Sequence, residues 1–182
     1  MAEDVTNIMT VINFFIKIFI YLFIYYIDFC VKVNIIIVVI YLIYGQPGSG
    51  KTTLGKLLAN YIATPHHIDG DIFRDILQNT DYSRKGRERN IRAANTVALY
   101  LTEAYEQPVV MSLVNPYIHL RHELNHRTTT LQILLESDRD LRREYHCEDF
   151  EIGSPDLMIN TDSPVDDTWS LLNSSLNEYI NL

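Results

Sequence analysis

The sequence predicts an α/β fold of three layers, a mostly parallel five-stranded sheet with helices on both faces. Three observations carry this expectation. An apolar, β-branched run ends in a glycine-rich octapeptide, an amphipathic helical pattern starts directly behind it, and short apolar runs alternate with helix-period segments through the rest of the chain. The octapeptide is Gly45-Gln46-Pro47-Gly48-Ser49-Gly50-Lys51-Thr52. Its spacing, G-x-x-x-x-G-K-[ST], lets successive backbone N–H groups wrap a polyphosphate while Lys51 reaches the terminal phosphates and the Thr52 hydroxyl reaches Mg²⁺. A polyphosphate with Mg²⁺ is the ligand this loop calls for.

Each element follows from local pattern. Residues 38–43 (Val-Val-Ile-Tyr-Leu-Ile) suit a strand buried on both faces, and Leu54, Leu57, Leu58, Tyr61 and Ile62 form one helical face. Strand, glycine loop and helix in this order make the fold P-loop NTPase-type. After a break at Thr64-Pro65, residues 66–69 read as a second strand ending in Asp69-Gly70-Asp71, with a helix opening at Ile72. Ser83 is placed to cap a long helix over 84–105, whose stripe is Ile91, Ala94, Ala98, Leu101 and Tyr105. Residues 108–114 are the third strand, followed by Asn115-Pro116-Tyr117 and a helix carrying His119, Arg121 and His122. Residues 128–135 make the fourth strand, 137–144 a charged helix, 145–156 a polar loop and 157–159 the fifth strand. Thr161 or Ser163 opens a final helix ending near Ile180.

Size and composition bound the partners. The chain has 182 residues, 47% hydrophobic, enough for one well-buried domain with an appendage. A formal charge of −8 argues against a nucleic-acid backbone as partner, which requires clustered positive charge. Cys30 and Cys147 are far apart and lack metal-type spacing, so a reducing, cytoplasmic setting is expected. Residues 1–33 differ from the rest: 11–27 are almost wholly apolar, interrupted only by Lys17. That length is at the lower edge for spanning a bilayer, and a lysine near one end can snorkel. The segment reads as a membrane tether, as a helix docked on the domain, or as extra sequence from an over-long reading frame. A cleaved secretory signal fits worse, since the start lacks positive charge and no small-residue cleavage site precedes Asp28. Residues 34–182 form the catalytic domain in this reading. A homodimer is left open.

The chemistry is expected around the loop. In doubly wound sheets ligands sit beyond the carboxyl ends of the strands, which brings Asp69 and Asp71 beside the triphosphate. One carboxylate can serve Mg²⁺ and the other can accept a proton from an attacking hydroxyl; the plainer alternative is an Asp-Gly turn that caps a helix. Arg74 lies one turn beyond Asp71. The long helix opens with Arg84, Lys85, Arg87, Arg89 and Arg92, and Arg87 shares a face with Asn90, where a bidentate anion contact and an amide contact can converge. Residues 122–126 also match H-E-x-x-H, with His119 ahead, the pattern of a helical zinc site; this shorter pattern competes poorly with the loop in its strand-to-helix context.

Taken together, the loop through Thr53, Ile68-Asp69-Gly70-Asp71 with Arg74, Tyr82-Ser83 with Arg87 and Asn90, and residues 112–117 with Arg121 resemble the adenylylsulfate (APS) kinases, over about residues 34–182. The resemblance implies transfer of the ATP γ-phosphate to the 3′-hydroxyl of adenylylsulfate, giving PAPS for sulfate assimilation. It implies Lys51, Asp69 and Asp71 as catalytic residues and Thr52 and Asp71 at the metal. It also implies that Gly45 to Thr53 hold the nucleotide and that Arg74, Tyr82, Arg87, Asn90 and Asn115 bind the acceptor, Tyr82 stacking on its adenine. Two departures stand out. Asn115 replaces the usual serine, and residues 137–146 are shorter than the family's lid and lack its lysine, leaving Arg142 or Arg143 as lid charges. A P-loop kinase for a nucleoside, a sugar acid or a nucleic-acid end, and a non-catalytic nucleotide-binding module, are the alternatives.

Overall fold

The computed structural model describes Phe19 and residues 40–139 and 143–180; apart from Phe19 these belong to one unit, Ile37–Leu182. The tether expectation over 11–27 falls outside the described residues, except that Phe19 is helical and exposed. Among the described residues no helix is long and apolar enough to cross a membrane.

Five strands form the sheet: β1 (Ile40–Tyr44), β2 (His67–Asp69), β3 (Val109–Leu113), β4 (Thr130–Glu136) and β5 (Leu157–Asn160). Their order is β2-β3-β1-β4-β5 and every pairing is parallel. β1 is central, and its alternating side chains divide between two cores, as a strand covered on both faces requires. Ile40, Leu42 and Tyr44 join Ala94, Ala98, Leu99 and Leu124 on one face, whereas Tyr41 and Ile43 join Leu54, Leu58, Leu172 and Leu176 on the other. The helices are α1 (Lys51–Tyr61), α2 (Gly70–Ile76), α3 (Arg84–Tyr105), α4 (Ile118–Asn125) and α5 (Val165–Ile180). Cores on both faces of an all-parallel sheet give the three-layer α/β fold that the pattern predicts.

Local details depart from the pattern in three places. α2 begins at Gly70 rather than Ile72, because the Asp69 carboxylate accepts from the backbone N–H groups of Asp71 and Ile72 and so caps the helix itself. The helix expected over 137–144 does not form in its described part: Ser137 to Arg139 are irregular, 140–142 lie outside the described residues, and a single 3₁₀ turn covers Arg143–Tyr145. Asp162 is the physical reason at the start, since its carboxylate takes the Ser137 hydroxyl and the Asp138 N–H, fixing a turn there. Tyr105, counted in the apolar stripe, is 55% exposed at the end of α3. Ser83 caps α3 as its sequence position predicts, its hydroxyl accepting from the Gly86 N–H.

Candidate active site

The loop between β1 and α1 turns on glycines at positive φ, Gly48 and Gly50 both at 87°, a region that side-chain-bearing residues rarely enter. Gly45 is tight for another reason: a Cβ there would press on the Leu135 carbonyl. The Lys51 ammonium donates to the Gln46 carbonyl at 2.7 Å, across the mouth of the loop. Thr52 Oγ1 donates to Asp69 Oδ2 at 2.5 Å, tying the start of α1 to the end of β2. Asp69 is buried, and its carboxylate is committed three times: to Thr52 and to the two α2 amides. Asp71, one residue into α2, is exposed.

A cleft of about 760 Å³ opens at the carboxyl edge of the sheet. Pro47, Gly48, Gly50, Lys51, Thr52 and Thr53 form one side; Asp69, Asp71 and Arg74 form its floor; Tyr82, Arg87 and Asn90 form the opposite wall. The structure thus brings together most of the sequence-predicted site; Gly45, Gln46 and Ser49 of the loop do not line this cleft. Asn115 does not line this cleft. It is fully buried behind it, with both side-chain amide atoms unpartnered in the protein. The Asn90 side chain is buried as well, and its Oδ1 has no protein partner.

The arginines of the wall are pre-set by backbone carbonyls. Arg74 donates to the carbonyls of Asn79 and Asp81, and Arg87 to those of Tyr82 and Tyr145. The Tyr82 ring sits between them, 4.5 Å from the Arg74 guanidinium carbon and 5.8 Å from that of Arg87. Two guanidiniums close to one aromatic ring gather positive charge at this wall, which suits an anion. Burial, with Arg87 nearby, pulls the Arg74 pKa down from its ordinary value.

Comparison with known proteins gives this cleft its family. A sequence model of the family described as Adenylylsulphate kinase matches residues 37–142, more than half of the chain. The chain belongs to the adenylylsulphate kinase family. It is a P-loop kinase, a nucleotide-binding phosphotransferase for a small-molecule substrate. The fold of this family member is shared with an APS kinase of Mycobacterium tuberculosis solved with AMPPNP and APS, at a TM-score of 0.65 and 17% identity over 78% of this chain and 98% of that one. A gluconokinase of Sinorhizobium meliloti 1021 superposes at 0.60 with 14% identity, covering 80% of this chain and 95% of the other. A shikimate kinase of Aquifex aeolicus superposes at 0.54 with 18% identity over 78% and 97%. A curated adenylate kinase of Chlamydia caviae is 44% identical over 41 residues; that match spans 22% of this chain and 19% of the adenylate kinase.

The contacts of several residues of this adenylylsulphate kinase family member are invisible to pattern reading. Ser112 on β3 lines the cleft and donates to the Lys51 carbonyl, and His67 Nε2 lies 2.9 Å from the same hydroxyl. With Ser112 Oγ donating onward, His67 must be the donor of that pair. Burial lowers the His67 pKa, opposed by Asp69 and assisted by Lys56. Arg121, named only as part of the motif, is 1% exposed; it donates to the carbonyls of Asn115, Glu151 and Ile152 and stacks over Tyr44 at 4.3 Å. It fastens the 151–152 segment to the sheet. That segment leads back to a second cleft, about 560 Å³, on the other side of the loop, lined by Gln46, Ser49, Arg139, His146, Cys147 and Asn160 among others. Cys147 is buried, its thiol donates to Asp149, and burial followed by that carboxylate pushes its pKa up. The neighbouring Tyr117 phenol is pushed up to about 12, chiefly by burial.

The residues of the H-E-x-x-H pattern point into other interactions. Glu123 pairs with Arg92 at 3.1 Å and His119 approaches Glu88 at 3.7 Å, both on the exposed side of α3 and α4. His126 lies past the end of α4, as its C-cap. Among the described residues no group of three or more His, Cys, Asp or Glu side chains is arranged to hold a metal.

Proposed function

We propose that this protein transfers the γ-phosphoryl group of ATP to a hydroxyl of adenylylsulfate, forming PAPS. One observation carries the reading: a single cleft joins Lys51 and Thr52 of the phosphate loop, the Asp69 and Asp71 carboxylates, and a wall of Arg74, Tyr82, Arg87 and Asn90. Its volume lies within the range of roughly 300–1,000 Å³ usual for small-molecule sites. The wall offers what a sulfated nucleotide presents, a base to stack and anionic groups to pair.

The acceptor oxygen attacks the γ-phosphorus, the bond to the bridging oxygen breaks, and ADP leaves with those electrons. The hydroxyl proton passes to a carboxylate. Asp71, exposed on the cleft, is assigned as the acceptor of that proton, and Asp69 as the group that holds Thr52 and the α2 amides. The Thr52 hydroxyl and the Asp69 carboxylate, with Asp71 nearby, are hard oxygen donors that fit Mg²⁺ held mostly by phosphate and water. When bound, that ion neutralises charge on the β- and γ-phosphates. Lys51 and the loop amides bind and align the same groups.

Two chain features favour a second reading, a sugar-acid acceptor. The lid is short, and two guanidiniums facing one cleft suit a carboxylate as well as a sulfate; the gluconokinase named above shares the fold. One incubation separates them: labelled ATP, Mg²⁺ and a panel of acceptors including adenylylsulfate and sugar acids, with Lys51→Ala as the blank. PAPS formation supports the main reading, and transfer only to a sugar acid replaces it. Nucleotide binding without any transfer would instead make the protein a binding module. Within the main reading Asp71→Asn should lower kcat by about 10²-fold or more while ATP binding persists.

A further inference from the structure

We propose that Gln46, although it lies within the phosphate loop, is a positioning residue whose side chain acts on the acceptor side by clamping the 145–147 strap. The inference rests on the proposed reading only for the identity of the acceptor. The Gln46 carboxamide makes a reciprocal pair with one backbone residue: its Nε2 donates to the Cys147 carbonyl at 2.8 Å, and its Oε1 accepts from the Cys147 N–H at 2.9 Å. A side-chain amide is here imitating a strand partner. Beside it, His146 Nε2 lies 3.1 Å from the Pro47 carbonyl. The loop and the strap are therefore joined over consecutive residues.

The position of this joint gives it a function. Pro47 and Gly48 line both clefts, so the loop is a wall common to the two. The strap is the second common wall, since Tyr145 faces the acceptor cleft whereas His146 and Cys147 face the other. Tyr145 is also where the strap meets the acceptor machinery. Its carbonyl accepts from Arg87 Nη2 at 3.2 Å, and its ring lies 5.9 Å from that of Tyr82. Holding Cys147 thus holds Tyr145, and with it the orientation of Arg87 and the outer edge of the Tyr82 ring. Methionine at position 46 would keep the volume of glutamine and remove both hydrogen bonds. It would leave the buried Cys147 N–H and C=O without those partners, and unmade bonds of this kind are costly.

The test uses the full chain as wild type, Gln46→Met and Gln46→Ala, the last guarding against overpacking by methionine. Three quantities are measured: affinity for AMPPNP, affinity for adenylylsulfate, and amide hydrogen exchange of the peptide containing Cys147. We expect adenylylsulfate affinity to weaken about 5- to 10-fold, AMPPNP affinity to weaken clearly less than that, and exchange at the strap to quicken by about 10-fold or more. A loss of AMPPNP affinity equal to or greater than the loss for adenylylsulfate would make Gln46 a nucleotide contact and overturn the proposal. Unchanged strap exchange in both variants would overturn it too. Failure of adenylylsulfate to bind the wild type would count against the acceptor reading alone, and the exchange and AMPPNP measurements would still decide the clamp.

Discussion

Arg87 bears two carbonyl contacts and an aromatic face, so its guanidinium is held in place before any acceptor arrives. Removing it should act on the acceptor far more than on ATP. For Arg87→Ala we expect the acceptor KM to rise by about 10-fold or more, from the loss of a charge-assisted contact of about 1.5–3 kcal/mol, with the ATP KM nearly unchanged in steady-state kinetics. Equal rises would displace Arg87 from the acceptor wall. His67 makes a different prediction. Its folded pKa lies below the ordinary value of 6.5, so between the two the unfolded chain takes up a proton that the folded chain refuses. Stability should therefore fall as pH drops below about 6.5 and level off once the folded group also titrates. His67→Gln retains an N–H donor toward Ser112 and should flatten that part of a melting-temperature profile between pH 7.5 and 5.5. An unaltered slope would assign the acid sensitivity to other groups.

The elements show what the sequence could and could not disclose. β1, the loop and α1 were legible because their signals are local: a β-branched run, fixed glycine spacing and a helical face. Ser83 and the extent of α3 were legible for the same reason. The strap was not, because its contacts join residues about a hundred positions apart, as Gln46 and Cys147 do, and no period in the sequence encodes such a pairing. The buried status of Arg121 was hidden likewise, since its acceptors are carbonyls that every residue possesses. α1 carries one further constraint that composition does not reveal. A Cβ on Gly55 would overlap Ser112 Oγ and stand 2.6 Å from His67 Nε2. Gly55→Ala should break the His67–Ser112–Lys51 chain and cost about 1–3 kcal/mol, read as a lowered urea midpoint. A midpoint at or above wild type would show that the two side chains move aside freely.

At the scale of the molecule, the site is built where two layers meet. An all-parallel sheet with both faces covered leaves only its carboxyl edge for ligands, and the loop, α2, α3 and the strap all converge there. The described residues that line the two clefts run from Gln46 to Asn160. A chain of residues 34–182 is accordingly expected to bind AMPPNP within about 2-fold of the full chain, measured by calorimetry. A large loss would make the N-terminal segment part of the working domain. The C-terminal helix offers a last consequence. Trp169, the single tryptophan, meets the Tyr61 ring edge-on with centroids 5.6 Å apart. Tyr61 ends α1 and Lys51 begins it, so at ~1.5 Å per residue about 15 Å of helix separates the indole from the phosphate loop. Its fluorescence should shift when α5 peels from α1 in denaturant and stay flat in a nucleotide titration, giving the protein a built-in optical reporter of unfolding that ligands at the loop leave silent.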